Sequence, residues 1–154
     1  MNDLFESLRE EMEQRGPEED FVAFRDWQDK EIQSILGLGS RANYGAGEQV
    51  IQMGSEEDRD IYIVITGELE AYHAVPGGEK RLTVLRSGDL FGEMSFVDGR
   101  PRSANVRALD DVVLLRIRPE DLDSFCKKNP AVALMFMKEI ARILSSRLRR
   151  FEAS

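Results

Sequence analysis

The 154-residue sequence is poor in the side chains that support covalent or metal-dependent chemistry. It has one cysteine, Cys126, and one histidine, His73. A single cysteine cannot form an internal disulfide or a thiolate zinc site, and a single imidazole cannot build a multi-histidine metal site. The phosphate-loop and Gly-x-Ser-x-Gly motifs are also absent. The sequence therefore predicts a protein that is not an enzyme and that holds no metal.

The chain also lacks long apolar runs and a basic balance of charge. No apolar stretch of about 18 residues occurs, and residues 1–4 have neither the basic flank nor the apolar run of a signal peptide. The net charge of -8 and the pI of about 4.8 argue against non-specific binding to nucleic acid. We therefore expect a cytoplasmic protein with no membrane span and no direct DNA binding.

The length and the 42% hydrophobic content predict one compact domain. Residues 1–36 form its amino-terminal helical segment. A first helix is indicated by apolar residues at helical spacing, which are Leu4, Phe5, Leu8 and Met12. Gly16-Pro17 predicts the end of that helix, and a second helix follows with the apolar positions Phe21, Phe24, Trp27 and Ile35. We interpret Phe24 and Trp27 as closing one end of the core.

Residues 37–118 contain short apolar alternations that are separated by glycine turns, which is typical of antiparallel strands. The predicted strands include residues 50–51, 61–65, 69–72, 82–85 and 112–117. Their turns come at about the spacing of a jelly roll. The predicted fold is therefore mainly β, an antiparallel jelly-roll β-barrel with flanking helices, and His73 is expected on its surface.

Residues 119–152 predict two carboxy-terminal helices that pack on the barrel. Pro119 opens a short helix, and Asn129 precedes a long one with Pro130 at its first position. The long helix carries two apolar stripes. The inner stripe consists of Val132, Phe136, Ile140 and Ile143, and the outer stripe consists of Leu134, Met137, Ala141, Leu144, Leu148 and Phe151. We expect the outer stripe to form the seam of a homodimer, the alternative being an ordinary helix lying on the barrel.

The segment 88–108 interrupts the strands with glycine, an acid and a cluster of arginines. A short helical turn that starts near Gly92 would present free backbone N–H groups to an anion. The Arg102 guanidinium can donate two parallel hydrogen bonds to a phosphate. Glu93 is an acceptor that suits a ribose hydroxyl. Together these residues favour a sugar attached to a phosphate, although Glu93 and Arg102 could also form a simple ion pair.

This segment resembles the phosphate-binding cassette of cyclic-nucleotide-binding domains, as in catabolite activator proteins, protein kinase A regulatory subunits and cyclic-nucleotide-gated channels. The matching motif is Phe91-Gly92-Glu93, eight further residues, and then Arg102-Ser103-Ala104. The resemblance covers about residues 35–150 and includes the turn glycines at 47, 54 and 67.

The resemblance implies a role for each residue of the predicted site. Glu93 would accept from the ribose 2′-hydroxyl, and Arg102 would pair with the cyclic phosphate. Backbone N–H groups near Gly92, Met94 and Ser95 would help to bind the phosphate. The Ser103 hydroxyl would lie near the phosphate or the base.

The ligand implied is cyclic AMP, with cyclic GMP as the alternative because Ser103 suits the phosphate of either nucleotide. The last helix closes over the base in many family members, but here it shows no assignable polar pair, offering Ser145, Ser146, Arg147 and Arg149. Bacterial transcription factors of the family continue into a helix-turn-helix domain, and this chain ends at Ser154. We therefore expect a stand-alone module without a DNA-binding domain.

The leading hypothesis is a regulatory sensor in which a cyclic nucleotide favours one arrangement of the last helix and so changes contacts with an unknown protein partner. A second hypothesis is a structural or scaffolding oligomerisation module with a vestigial pocket. The least favoured hypothesis is a small barrel enzyme that uses carboxylates such as Glu48 and Glu93.

Overall fold

The computed structural model describes residues 2–15 and 23–153. Within them, the helices are α1 (Asn2–Glu13), α2 (Asp29–Leu36), α3 (Glu93–Asp98), α4 (Pro119–Lys128) and α5 (Pro130–Ala153). The strands are β1 (Ser40–Tyr44), β2 (Gln49–Ile51), β3 (Ile61–Thr66), β4 (Leu69–Val75), β5 (Gly78–Leu85), β6 (Leu90–Phe91), β7 (Asn105–Ala108) and β8 (Val112–Ile117). The predicted helix stop at Gly16-Pro17 and the predicted position of Phe21 lie outside the described residues.

The strands form two four-stranded sheets with the orders β1-β8-β3-β6 and β2-β7-β4-β5. All the pairings described between these strands are antiparallel. Two four-stranded antiparallel sheets are the arrangement of a jelly roll. The predicted fold class, mainly β with flanking helices and a long final helix, is confirmed.

Strand β3 lies at the centre of the packing because both of its faces are covered. Ile61, Ile63 and Ile65 belong to a hydrophobic cluster with α1, α2, α4 and α5. Tyr62 and Val64 point the other way, into a cluster formed with residues of the second sheet. Side chains alternate between the faces of a strand, so a strand covered on both faces is apolar throughout. This burial explains the uninterrupted apolar run at 61–65.

The turn between β3 and β4 requires glycine at position 67. Gly67 has a φ of 91°, which side-chain-bearing residues rarely adopt. A Cβ at this position would lie 2.5 Å from the Asp111 carbonyl oxygen and 2.6 Å from Val112 Cγ1. The turn can therefore pack directly against the start of β8.

The predicted second helix is shorter than expected. It begins at Asp29, where the Gln28 N–H donates to Glu31 Oε1 at 2.8 Å. Phe24 and Trp27 precede the helix in a turn, closed by a hydrogen bond from the Trp27 N–H to the Phe24 carbonyl at 3.1 Å. Both side chains are buried, as the core interpretation expected. The three-residue spacing of Phe24 and Trp27 predicted a helix, but a single turn brings the two side chains together as a helix would.

The two predicted stripes of helix α5 differ in solvent exposure. Phe136, Ile140 and Ile143 of the inner stripe are buried. The outer stripe is largely exposed, from Leu134 at 57% to Phe151 at 77%. In residues 2–15 and 23–153, no helix is both long enough and apolar enough to cross a lipid bilayer.

Candidate functional site

A cavity of about 870 Å³ lies where the segment 88–108, strand β5 and the end of α5 meet. Its volume is in the range of small-molecule sites. All six residues that the sequence singled out line this cavity, namely Gly92, Glu93, Met94, Ser95, Arg102 and Ser103. Residues ten positions apart in the chain are therefore brought together around one space.

Gly92 lets the backbone turn sharply into the cavity wall. Its φ is 84°, and it precedes α3, so the predicted helical turn is present at the predicted place. A Cβ on this glycine would lie 2.7 Å from the Asp60 carbonyl oxygen and 3.0 Å from Arg102 Nη1. The close approach of three segments at this point depends on the missing side chain.

Arg102 is held firmly, with only 5% of its surface exposed. Its Nη1 donates to the Gly92 carbonyl at 3.0 Å, and its Nη2 donates to Asp58 Oδ1 at 2.6 Å and to the Asp60 carbonyl at 2.9 Å. A guanidinium has five N–H donors. In the part of the chain that the structure describes, these three bonds leave two donors for a further acceptor.

The sequence-based site missed the acidic support of Arg102. Burial alone would raise the pKa of Asp58, but hydrogen bonds from the Asp60 N–H and from Arg102, with the charges of Arg102 and Arg116, hold that pKa below its ordinary value. Asp60 is buried and accepts from Arg116 Nε. Two acids directly before a buried strand were the available signal, because a charge beside a core strand needs a partner.

Glu93, the acid in the cavity wall, is buried, with 1% of its surface exposed. It accepts from Arg147 Nη1, and Arg147 Nη2 donates to the Leu90 carbonyl at 2.9 Å. Arg147 belongs to α5, so this pair ties the last helix to the cassette. Glu93 and Arg102 therefore have different partners and do not form the simple ion pair considered above.

The cavity carries more positive than negative charge. Five basic side chains line it, and one acid, Glu93, lies among them. The basic residues are Lys80, Arg81, Arg102, Arg147 and Arg150. Such a wall favours an anion. Arg100 and Arg107 are not among the lining residues, and Arg107 instead lies 4.1 Å from the centre of the Tyr72 ring.

An apolar wall faces these charges. Leu82 from β5 and three residues of α5, Leu144, Leu148 and Phe151, line it. Ala71 pairs with Thr83 and Tyr72 pairs with Arg81, so Leu82 is the extra residue of a β-bulge. A bulge redirects a side chain out of the regular alternation. The site thus combines a polar end with an apolar end.

Ser103 and His73 meet at the rim of the cassette. The Ser103 hydroxyl donates to Met94 Sδ at 3.4 Å. The backbone carbonyl oxygen of Ser103 lies 3.0 Å from His73 Nε2. His73, expected on the surface, is partly exposed there and contacts the backbone of the segment 88–108. Among the described residues, no group of three histidine, cysteine or acidic side chains could hold a metal ion.

Comparison with known proteins identifies the same region. The family model of the cyclic nucleotide-binding domain matches residues 41–129. The cyclic AMP receptor protein of Thermus thermophilus is 32% identical over 121 residues, which are 78% of this chain and 54% of that protein. The CRP-like cAMP-activated global transcriptional regulator of Mycobacterium tuberculosis is 29% identical over 109 residues, which are 70% of this chain and 46% of that protein.

A solved structure agrees with these sequence matches. The catabolite activator protein of Thermus thermophilus superposes with a TM-score of 0.73 at 30% identity, covering 84% of this chain and 59% of that chain. This chain therefore spans about half the length of the curated relatives that it matches.

Proposed function

Because this chain belongs to the cyclic nucleotide-binding domain family, we propose that it is a cyclic-nucleotide sensor with a regulatory rather than a catalytic role. The observation that carries this proposal is the placement of Arg102 and Glu93. Both are buried in the wall of one cavity, and they supply the positive donor and the negative acceptor that a cyclic ribose phosphate requires.

The phosphate end of the ligand is assigned to Arg102 and its surroundings. Arg102 retains its Nε–H and one Nη1–H, and with its charge either donor can bind a phosphate oxygen. The backbone near Gly92, Met94 and Ser95 and the hydroxyl of Ser103 complete this end of the site. The excess of basic side chains in the lining supports a ligand with a negative charge.

The base end is assigned to the apolar wall. Leu82, Leu148 and Phe151 offer the area on which a purine ring is removed from water. Apolar contact does not distinguish adenine from guanine, so this end accepts either base. We propose cyclic AMP as the ligand, with cyclic GMP as the alternative, in keeping with the relatives that are named for cyclic AMP.

The response to ligand follows from the pairing of Glu93 with Arg147. A ribose hydroxyl that donates to Glu93 competes with Arg147 for the same carboxylate oxygens. The arrangement of α5 therefore has a different free energy when the nucleotide is bound, and this difference shifts the balance between helix arrangements. Contacts with a protein partner would change with α5.

The proposal is tested by isothermal titration calorimetry with cyclic AMP and with cyclic GMP, beside thermal unfolding. A ligand that binds only the folded chain raises its stability by about 2.7 kcal/mol at 100 times Kd. We expect binding of one cyclic nucleotide per chain and a higher Tm, with no such effect from the open monophosphate 5′-AMP. If neither nucleotide gives binding heat or a change in Tm at millimolar concentration, the sensor proposal is refuted.

A scaffolding module with a vestigial pocket is the second candidate, and one observation favours it. Arg102 and Glu93 already have protein partners, so both charges are stabilised without a nucleotide. In that case the chain would have the same oligomeric state and the same Tm with and without either nucleotide. The titration above separates the two candidates.

We also propose that the outer stripe of α5 forms a homodimer seam with a second copy of this chain. Its apolar residues recur at alternating steps of three and four, which is the spacing of paired helices. Leu134 and Met137 are exposed and lie outside the cavity lining. A like stripe on a second copy would cover this apolar area without introducing any charge.

Replacing Leu134 by aspartate should dissociate this dimer. Burial of one leucine side chain contributes about 1.5–3 kcal/mol, and the dimer loses two such contributions. We therefore expect a dimer dissociation constant at least about 100-fold higher in sedimentation equilibrium. Arg149→Asp, an exposed position on the same helix that does not belong to the outer stripe, is the matched control and should remain dimeric. A wild-type chain that sediments as a monomer would contradict the proposed seam.

A further inference from the structure

Glu139 is a buried carboxylate that lies outside the lining of the nucleotide cavity. It belongs to α5, and only 3% of its surface is exposed. Its Oε1 accepts from Trp27 Nε1 at 3.3 Å and from Arg142 Nη1 at 3.0 Å, and its Oε2 accepts from the Phe24 N–H at 3.4 Å. A buried charge is unfavourable unless it is hydrogen-bonded. These three donors explain why an acid is tolerated on the inner face of α5.

Residues 23–27, which we call the aromatic turn, depend on the same carboxylate. Phe24 has a φ of 64°, and among the described residues no other non-glycine residue has a positive φ. A bulky side chain rarely adopts this conformation, which persists only where its surroundings enforce it. The Phe24 ring packs edge-on against Trp27 at 5.1 Å and stacks on Phe136 of α5 at 6.2 Å. Helix α5 therefore holds the turn in an unfavourable backbone conformation.

We propose that Glu139 couples the aromatic turn to the nucleotide cavity, so that a shift of α5 on nucleotide binding releases Trp27 and Phe24. This inference rests on the proposed function. Glu139 and Arg147 lie on one uninterrupted helix, Pro130–Ala153, and are about 12 Å apart along its axis. Because Arg147 contacts Glu93 and Leu90 in the cavity wall, a displacement of the helix at Arg147 also displaces Glu139.

The geometry at Glu139 makes the release sensitive to small movements. The bonds from Trp27 and Phe24 measure 3.3 Å and 3.4 Å, which is already beyond the usual N–H···O range. A shift of α5 of less than about an ångström breaks them. The strained Phe24 backbone then relaxes, and the Trp27 N–H reaches water instead of remaining buried without an acceptor.

Trp27 reports this event directly because it is the only tryptophan in the sequence. Acrylamide quenching of its fluorescence is measured with and without cyclic AMP or cyclic GMP, and calorimetry on the same samples verifies binding. We expect bound nucleotide to raise the quenching constant about two-fold or more, because the indole becomes accessible to solvent. Binding with unchanged quenching overturns the coupling but leaves the sensor intact. Absence of binding heat overturns both.

Variants of Glu139 separate coupling from simple support of the fold. Glu139→Gln weakens the charge-assisted bonds at nearly constant shape, and Glu139→Leu removes the acceptor entirely. In either variant we expect high Trp27 quenching before nucleotide is added, a smaller further change, and several-fold tighter nucleotide binding, since less of the binding free energy is used to open the turn. A merely structural role lowers the Tm without tightening binding, and that result in Glu139→Gln would overturn the proposal.

Arg142→Ala is the matched control. Its side chain is 58% exposed, and its loss leaves Glu139 as the acceptor for Trp27 and Phe24. We expect this variant to keep the wild-type quenching response and the wild-type affinity. A response abolished in Arg142→Ala as fully as in Glu139→Leu would mean that the Glu139–Arg142 ion pair, and not the aromatic turn, transmits the shift.

Discussion

Arg102→Ala should weaken cyclic nucleotide binding by more than about 10-fold, and by as much as about 5 kcal/mol. The guanidinium is the most buried of the basic groups that line the cavity, so a phosphate placed there would lose its most desolvated counter-charge. Isothermal titration calorimetry at a temperature well below the Tm measures the change. The Tm itself should also fall, because the Gly92 and Asp60 carbonyls lose their donor.

Two companion variants make this result specific. Arg100→Ala removes an exposed arginine two positions away that does not line the cavity, and it should bind as the wild type does. Arg102→Lys keeps the charge but loses the planar fork, so its affinity should lie between the other two. If Arg102→Ala stays folded and retains wild-type affinity, the phosphate is not at Arg102.

Phe136→Ala should cost about 3–5 kcal/mol of unfolding free energy, the largest effect that we expect of a single core substitution. Phe136 is completely buried on the inner face of α5. Its ring stacks on Phe24 with an interplanar angle of 13°, so truncation leaves a cavity between α5 and the aromatic turn. Chemical denaturation followed by circular dichroism measures the loss.

Val97→Ala is the comparison for Phe136→Ala. Val97 is 53% exposed on α3, and its truncation should change the unfolding free energy by less than about 0.5 kcal/mol. Equal losses in the two variants would contradict the described packing of α5. Nucleotide affinity in Phe136→Ala, measured where the variant is still folded, is an additional test of communication between the aromatic turn and the cavity.

Sequence reasoning found the parts of the fold that depend on regular patterns. Strand β8 was located at Val112–Ile117 because its apolar run is bounded by turn residues. Strands β1, β6 and β7 were not predicted. Ser40–Tyr44 is an edge strand of largely polar sequence, and Ala42 and Tyr44, which alternate with exposed Arg41 and Asn43, are only partly buried, so the apolar pattern is weak. Asn105–Ala108 lies within the segment that was interpreted by its motif rather than by its strand pattern.

The residues of the candidate site also divide into those that a local sequence pattern marks and those that it does not. The six cassette residues were predicted because they lie within twelve positions and match a known spacing. Asp58, Arg147 and Glu139 act across separations of 44, 54 and 112 residues. Such pairings depend on the tertiary arrangement, which local sequence does not encode. Two signs were visible, the acids Asp58 and Asp60 before β3 and an acid on the buried face of α5, because buried acids require partners.

The order of strands in the first sheet has a consequence for how the protein is made. Ser40 pairs with Arg116 and Ile61 pairs with Ile117, so the sheet closes only after nearly the whole of the β region has been synthesised. Folds dominated by such distant contacts form slowly, on the scale of about milliseconds to seconds. Helix α5, which carries Arg147, is synthesised after this sheet. A nascent chain would therefore complete the cavity that holds Arg102 and Glu93 only after α5 has been synthesised and has packed in place, and any ligand of this cavity would stabilise only molecules in which α5 is already docked.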